Sequence, residues 1–145
     1  MPHRLLSEIV AGQNLLTVSP EDSVFDAVCK MSEHQCGIVL VLDPAGQLEG
    51  VFTERDLMRR VVSQEKEPKA TRVEDVMTRN IASVPAGRKG IEAVRRMVEH
   101  NIHHVVVTDM PGGGYGVVSV SDFIGDEIDV DGHELQMQRK VWETV

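Results

Sequence analysis

The sequence predicts an α/β fold made of two copies of one β-α-β-β-α unit, followed by a C-terminal helix. Two observations carry this prediction. The chain matches itself without a gap at an offset of 66 residues, and 16 of the 49 positions from 8 to 56 are identical to their counterparts. Within each copy, hydrophobic residues change between strand and helix periodicity in the same order. We therefore expect both copies to share one structure.

Each copy begins with a short extended segment, residues 15–19 and 81–85, and continues into a helix. In the first copy, apolar residues recur at i, i+3, i+4 and i+7 and form one helical face: Val24, Ala27, Val28 and Met31. The second copy has Ile91, Val94, Met97 and Val98 in the corresponding region. Asp22 or Ser23 is positioned to cap the first of these helices.

Two strands and a second helix complete each copy. The apolar, β-branched runs at 37–42 and 105–108 predict buried strands. Turn sequences beginning at Asp43 and Asp109 lead to a third strand at 50–53 and 116–119, and a short helix is expected to start near Asp56 and Asp122. Because a unit of about fifty residues buries little surface alone, we expect sheet-to-sheet packing with pseudo-two-fold symmetry. Such packing leaves two equivalent clefts suited to ligands.

The repeat also sets the expected domain boundaries. The first copy spans 6–62, a polar linker 63–72, the second copy 73–128 and a helical tail 129–145. One helical face of the tail carries Leu135, Gln138, Val141, Trp142 and Val145. The tail is predicted to stabilise a homodimer, to dock a partner or to cover its own module.

Composition excludes several classes of protein. A formal net charge of −8 is opposite to the balance that nucleic-acid binding favours. The sequence has no apolar run of membrane-spanning length, and an acidic residue follows the N-terminus too early for a signal peptide, so we expect a cytoplasmic protein. Cys29 and Cys36 do not form a CxxC pair and are expected to be buried free thiols.

The most informative motif is Thr53-Glu54-Arg55-Asp56, which the second copy repeats as Ser119-Val120-Ser121-Asp122. One interpretation is a capping box, in which Thr53 or Ser119 satisfies backbone N–H groups at a helix start. The other is a ligand site, because a helix N-terminus favours phosphate and an Asp can accept hydrogen bonds from two ribose hydroxyls. The two interpretations are compatible. Arg55 either meets a phosphate or is a solvated helix residue, whereas Ser121 is uncharged.

Each copy resembles a CBS domain. The resemblance is carried in the first copy by TVSPEDSVFDAVCKM…GIVLVLDPAGQLEGVFTERDL and in the second by ASVPAGRKGIEAVRRM…HHVVVTDMPGGGYGVVSVSDF. Together the copies are similar to a stand-alone Bateman module. The resemblance implies a regulatory module that binds AMP, ADP, ATP, NAD(H) or S-adenosylmethionine, and often a dimer. It assigns ribose to Asp56 and Asp122, ribose or phosphate to Thr53 and Ser119, and adenine to the backbone at Thr17, Val18, Ser83 and Val84. It places Gly37, Ile38, His103 and His104 beside the adenine.

Other chemistries are weaker predictions. His100, His103 and His104 lie close in sequence but are expected at a helix end and on opposite faces of a strand, so we predict no metal site. The glycines at 112–114 lead into a strand, unlike a phosphate loop, and predict a hairpin. The chain shows no paired nucleophile and base. We therefore predict a non-catalytic sensor that needs no cofactor, with a purely structural dimerisation module as the alternative.

Overall fold

A computed structural model of the chain describes residues 3–123. Within them the protein is a mixed α/β structure with two three-stranded sheets, which confirms the predicted fold class. The chain divides into two compact units. We call residues 14–81 the first-repeat unit, and residues 3–13 together with 82–123 the second-repeat unit. The helix predicted at 129–145 lies outside the described residues.

The first-repeat unit is built around the strand β2 (Ile38–Leu42). It pairs in parallel with β1 (Thr17–Val18) and antiparallel with β3 (Leu48–Thr53). The parallel pair needs a crossover, which α2 (Val24–Glu33) provides. Ser23 caps α2 by accepting a hydrogen bond of 3.0 Å from the Asp26 N–H, as predicted. The order of elements matches the predicted unit.

The turn between β2 and β3 follows from Asp43. Its Oδ1 accepts hydrogen bonds from the N–H groups of Ala45 and Gln47, both at 2.9 Å. Gly46 adopts φ 84°, a conformation that glycine takes without steric cost. This is the local turn expected from an Asp and a Gly at these positions.

The helix that follows β3 differs from the predicted one. A single turn, α3 (Glu54–Asp56), passes directly into a π-helix at Leu57–Val62. The Ser63 N–H donates to the Met58 carbonyl and the Lys66 N–H to the Val61 carbonyl, both i to i+5 bonds. The spacing of apolar residues does not separate an α-turn from a π-turn when the segment is this short.

The chain between the two sheets, residues 63–81, belongs to the first-repeat unit. It contains a 3₁₀ helix at Pro68–Ala70 and the helix α4 at Val73–Val76. The Val24 N–H donates to the Thr71 carbonyl (2.9 Å), and the Val73 N–H donates to the Asp22 carbonyl (2.8 Å). These bonds bring α4 against the start of α2.

The second-repeat unit has the same architecture. Its sheet has the order β4 (Ser83–Pro85), β5 (His104–Thr108), β6 (Gly116–Ser119), with α5 (Gly90–His100) between β4 and β5. A 3₁₀ helix at Val120–Asp122 follows β6. The N-terminal helix α1 (Leu6–Ile9) belongs to this unit, and the Leu6 N–H donates to the Arg88 carbonyl (2.8 Å).

Each unit has its own hydrophobic core. Both cores take residues from the strands, from the longer helices and from a short segment at α4 or α1: Val18, Val24, Ala27, Met31, Val39, Val41, Phe52, Val61, Val73, Val76 and Met77 in the first-repeat unit, and Leu6, Val10, Val84, Ala86, Ala93, Val94, Met97, Val105, Val107, Val118 and Phe123 in the second. The intervening residues of the central strands, Leu40 and Val106, are buried as well. The predicted buried strands are confirmed.

Cys29 and Cys36 are free thiols, as predicted, but both are half-buried rather than buried. The reason is that Cys29 is two residues from both Ala27 and Met31 and so lies roughly opposite the helix face that carries them, and Cys36 lies just before β2. Among the helices of residues 3–123, none has the length and apolar character needed to cross a membrane.

Candidate ligand-binding site

In the first-repeat unit, the predicted site residues gather at one end of the sheet. Thr53, the last residue of β3, pairs with Ile38 at the start of β2. The next residue, Glu54, donates its N–H to the Gly37 carbonyl at 3.1 Å. Asp56 ends the single turn that starts there. Strand pairing and this turn therefore bring four predicted residues together, namely Gly37, Ile38, Thr53 and Asp56.

The second-repeat unit repeats this arrangement. Ser119 pairs with His104, and the Val120 N–H donates to the His103 carbonyl at 3.1 Å. His104 and Ser119 occupy the positions that Ile38 and Thr53 hold in the first repeat. Both histidines are half-buried. The two sheets thus have the same register at the motifs Thr53–Asp56 and Ser119–Asp122, which we call the first and second signatures.

The entry strands lie two residues further along each central strand. Thr17 pairs with Leu40 and Ser83 with Val106, and each entry strand is at the edge of its sheet. The side chains of Val18 and Val84 belong to the hydrophobic cores. Their backbone groups are consequently the part of these residues suited to contact a ligand.

The capping interpretation of the first signature is confirmed by its hydrogen bonds. The Asp56 N–H donates to Thr53 Oγ1 (3.2 Å), and the Thr53 N–H donates in return to Asp56 Oδ2 (3.0 Å). In the second signature the Ser119 N–H donates to Asp122 Oδ2 (2.7 Å). One carboxylate oxygen of each Asp is therefore oriented by the residue that ends the preceding strand.

The two signatures differ at the other carboxylate oxygen. Asp56 Oδ1 accepts a hydrogen bond of 2.8 Å from the Thr78 hydroxyl and lies 3.8 Å from Arg60 Nε. Asp56 is only 7% exposed. In the part of the chain that the structure describes, no donor lies within hydrogen-bonding distance of Asp122 Oδ1, and Asp122 is half-buried. Among residues 3–123, the Asp122 carboxylate thus has one oxygen that accepts no hydrogen bond.

The residues that follow each signature Thr or Ser also differ. Arg55 is half-buried, whereas its counterpart Ser121 is exposed and exchanges a 2.8 Å hydrogen bond with the Ser119 hydroxyl. The hydroxyl pair Ser119 and Ser121 therefore lies beside Asp122.

Over residues 3–123, the structure contains no group of three or more His, Cys, Asp or Glu residues placed to hold a metal ion.

Sequence reasoning missed Thr78 and Arg60 as neighbours of Asp56. A signal for Arg60 was present, because an Asp and an Arg four residues apart adjoin each other in a helix. The signal for Thr78 is weaker: it follows the segment VEDVM and stands where the first repeat has Gly12. Its contact with Asp56 spans 22 residues of sequence and depends on how the chain between the repeats folds.

A comparison with family models decides the family. The CBS domain model matches residues 6–63 and again 73–126. The chain belongs to the CBS-domain family. The mitochondrial CBS domain-containing protein CBSX3 of Arabidopsis thaliana is 33% identical over 131 residues, which is 87% of this chain. The chain spans 63% of the length of that relative.

Solved CBS-domain structures show the same fold. PAE2072 of Pyrobaculum aerophilum, complexed with AMP, superimposes with a TM-score of 0.77 at 20% identity, covering 94% of this chain and 99% of that one. The CBS domain pair of protein MJ0100, in complex with 5′-methylthioadenosine and S-adenosyl-L-methionine, has a TM-score of 0.72 at 24% identity, covering 83% and 93%. These likenesses establish the fold of the chain.

Proposed function

We propose that the chain is a non-catalytic regulatory module that binds an adenosyl ligand and transmits its occupancy to a partner protein. The observation that carries this proposal is the Asp122 carboxylate. One of its oxygens is fixed by the Ser119 N–H at 2.7 Å, while the other has no donor among the described residues. A carboxylate held in this way can accept hydrogen bonds from both hydroxyls of a ribose.

The surroundings of Asp122 support an adenosyl ligand. His103 and His104 lie at the same end of the sheet, and Ser83 and Val84 form the neighbouring edge strand. An edge strand presents backbone N–H and C=O groups along its outer side, and these groups suit the hydrogen-bonding edge of adenine. Two solved CBS-domain structures hold adenosyl compounds, AMP in one and S-adenosylmethionine with methylthioadenosine in the other.

The charges near the second signature favour a ligand with few phosphates. Ser121 stands where the first signature has Arg55, so this position offers hydroxyl groups rather than a guanidinium. The chain as a whole carries a formal net charge of −8, which disfavours highly charged anions. Among AMP, ADP, ATP, NAD(H) and S-adenosylmethionine, we expect AMP to bind more tightly than ATP.

The experiment is a thermal unfolding series on the full chain with each of these ligands, and with GMP to test the base. A ligand that binds only the folded protein stabilises it by about 2.7 kcal/mol at a concentration of about 100 times its Kd. We expect adenosyl ligands to raise the Tm and Asp122→Asn to remove that increase. The matched control is Asp26→Asn, an exposed Asp on α2. No Tm increase with any adenosyl ligand would instead favour a structural dimerisation module.

A further inference from the structure

The carboxylate of Asp56 is committed to contacts within its own unit. Three protein donors bind it: Oδ2 accepts from the Thr53 N–H (3.0 Å) and hydroxyl (3.2 Å), and Oδ1 accepts from the Thr78 hydroxyl (2.8 Å). With 7% of its surface exposed, Asp56 is the one charged residue that is buried among residues 3–123. A ribose hydroxyl would therefore have to displace the Thr78 hydroxyl to reach Oδ1.

Arg60 reinforces this contact from the π-helix. Its Nη1 donates to the Met77 carbonyl at 2.8 Å, and its Nε lies 3.8 Å from Asp56 Oδ1. The same guanidinium thus holds the chain next to Thr78 and lies beside the carboxylate that Thr78 binds. Thr78 itself is fixed by two backbone hydrogen bonds with Val51 on β3, at 2.8 and 3.0 Å.

The second repeat has neither of these partners. At the offset of 66 residues, the counterpart of Thr78 is Gly12, which has no side chain. The counterpart of Arg60 is Asp126, an acidic residue that lies outside the described residues. The different contacts of the two carboxylates therefore follow from the residue types at these two positions.

We propose that Thr78 and Arg60 determine which signature binds the ligand. Their contacts make Asp56 a structural residue that joins β3, the π-helix and the segment after α4, an arrangement we call the latch. Ligand binding is left to Asp122. This inference rests on the proposed function, because it concerns the number and place of the ligands that the module takes. It assigns one adenosyl ligand to each chain.

The test is titration calorimetry of the full chain with AMP. Wild type binds one AMP per chain, Asp122→Asn weakens binding at least tenfold, and Asp56→Asn changes the affinity less than threefold. Thr78→Ala removes both the hydroxyl donor and the group that fills the space at Oδ1, and it adds a second site, which Asp56→Asn then abolishes. The matched control is Thr71→Ala, because the Thr71 hydroxyl bonds to the Glu67 carbonyl and does not touch Asp56. Two sites in wild type, or one site in Thr78→Ala, overturns the inference.

A second measurement tests the latch without ligand. Urea unfolding of Asp56→Asn, Thr78→Val and the double variant forms a double-mutant cycle. If the latch exists, the double variant loses clearly less stability than the sum of the single losses. Additive losses overturn the latch whether or not AMP binds. Absence of AMP binding to wild type, together with a coupled cycle, contradicts the proposed function and leaves the latch standing.

Discussion

The side-chain amide of Gln13 forms two hydrogen bonds with the backbone of Val117: Nε2 donates to the Val117 carbonyl (2.7 Å), and Oε1 accepts from the Val117 N–H (2.8 Å). In the first-repeat unit, the backbone of Thr78 makes the same pair of bonds with Val51, the counterpart of Val117. A side-chain amide carries the donor and acceptor of a peptide group. Gln13 therefore replaces a backbone bridge at the edge of the second sheet.

This relationship predicts that Gln13→Ala destabilises the protein by about 1–2 kcal/mol, because two hydrogen bonds of roughly 1 kcal/mol each are lost. Gln13→Glu is expected to cost at least as much, since a carboxylate cannot donate to the Val117 carbonyl. Urea unfolding measures both. The control is Asn14→Ala, an exposed neighbour. An unfolding midpoint of Gln13→Ala equal to that of Asn14→Ala would show that the amide contributes nothing.

The N-terminal helix is expected to stabilise the second repeat rather than the first. Leu6 is fully buried in the second-repeat core with Val84 and Ala86. Leu6→Ala should therefore cost about 2–5 kcal/mol, whereas Leu5→Ala, at a side chain 39% exposed, should cost far less. Hydrogen exchange locates the effect: we expect protection to fall first in β4–β6. Earlier loss in β1–β3 would contradict this assignment.

Two glycines allow the chain just after α4 and just after α1 to approach the edge strands β3 and β6 closely. A Cβ at Gly50 would lie 2.6 Å from Met77 Sδ and 2.9 Å from the Thr78 carbonyl oxygen, and a Cβ at Gly116 would lie 2.8 Å from Val10 Cγ2. We expect Gly50→Ala to cost about 1–3 kcal/mol through overpacking. Gly116→Ala should also destabilise the protein, because the Cβ of Val10 would lie only 3.1 Å away and is fixed to its own backbone.

Gly87→Ala is the control for both substitutions, since a Cβ there meets nothing within 4 Å. Thermal melting compares the three variants. If Gly50→Ala melts at the same temperature as Gly87→Ala, the close approach of Met77 and Thr78 to β3 does not limit packing.

We also expect a homodimer in solution, with light scattering giving twice the chain mass of 16.1 kDa. The tail after Asp131 contains the chain's one Trp, Trp142, and this residue type is enriched at interface hot spots. Truncation after Asp131 is predicted to abolish the dimer mass. An unchanged mass with a lower Tm would instead indicate that the tail packs on its own module, and no change in either would favour a partner. Monomeric wild type at micromolar concentration would contradict the dimer.

The repeat made most of the fold predictable. Once Asp56 and Asp122 are aligned, the order of strands and helices along each copy follows from periodicity, whereas the order of strands in each sheet and the shared register of Thr53 and Ser119 come from the structure. The π-helix was not predictable in this way, because Leu57 and Val61 fit an α-helical face equally well. A four-residue apolar spacing does not report which carbonyl each N–H reaches.

The candidate site was predicted in part. The signature residues and their capping bonds follow from local sequence, since Thr53 and Asp56 are three residues apart. The contact of Thr78 with Asp56 and that of Gln13 with Val117 join residues 22 and 104 positions apart. Such contacts depend on the path of the connecting chain, and one sequence without its fold contains little information about that path.

The most direct test of ligand binding compares AMP with 2′-deoxy-AMP and 3′-deoxy-AMP by calorimetry on wild type and Asp122→Asn. If Asp122 accepts hydrogen bonds from both ribose hydroxyls, each deoxy analogue binds wild type about tenfold or more weakly than AMP. The variant should bind all three with the same low affinity. Equal binding of AMP and its deoxy analogues by wild type, or no binding of AMP, would contradict the account.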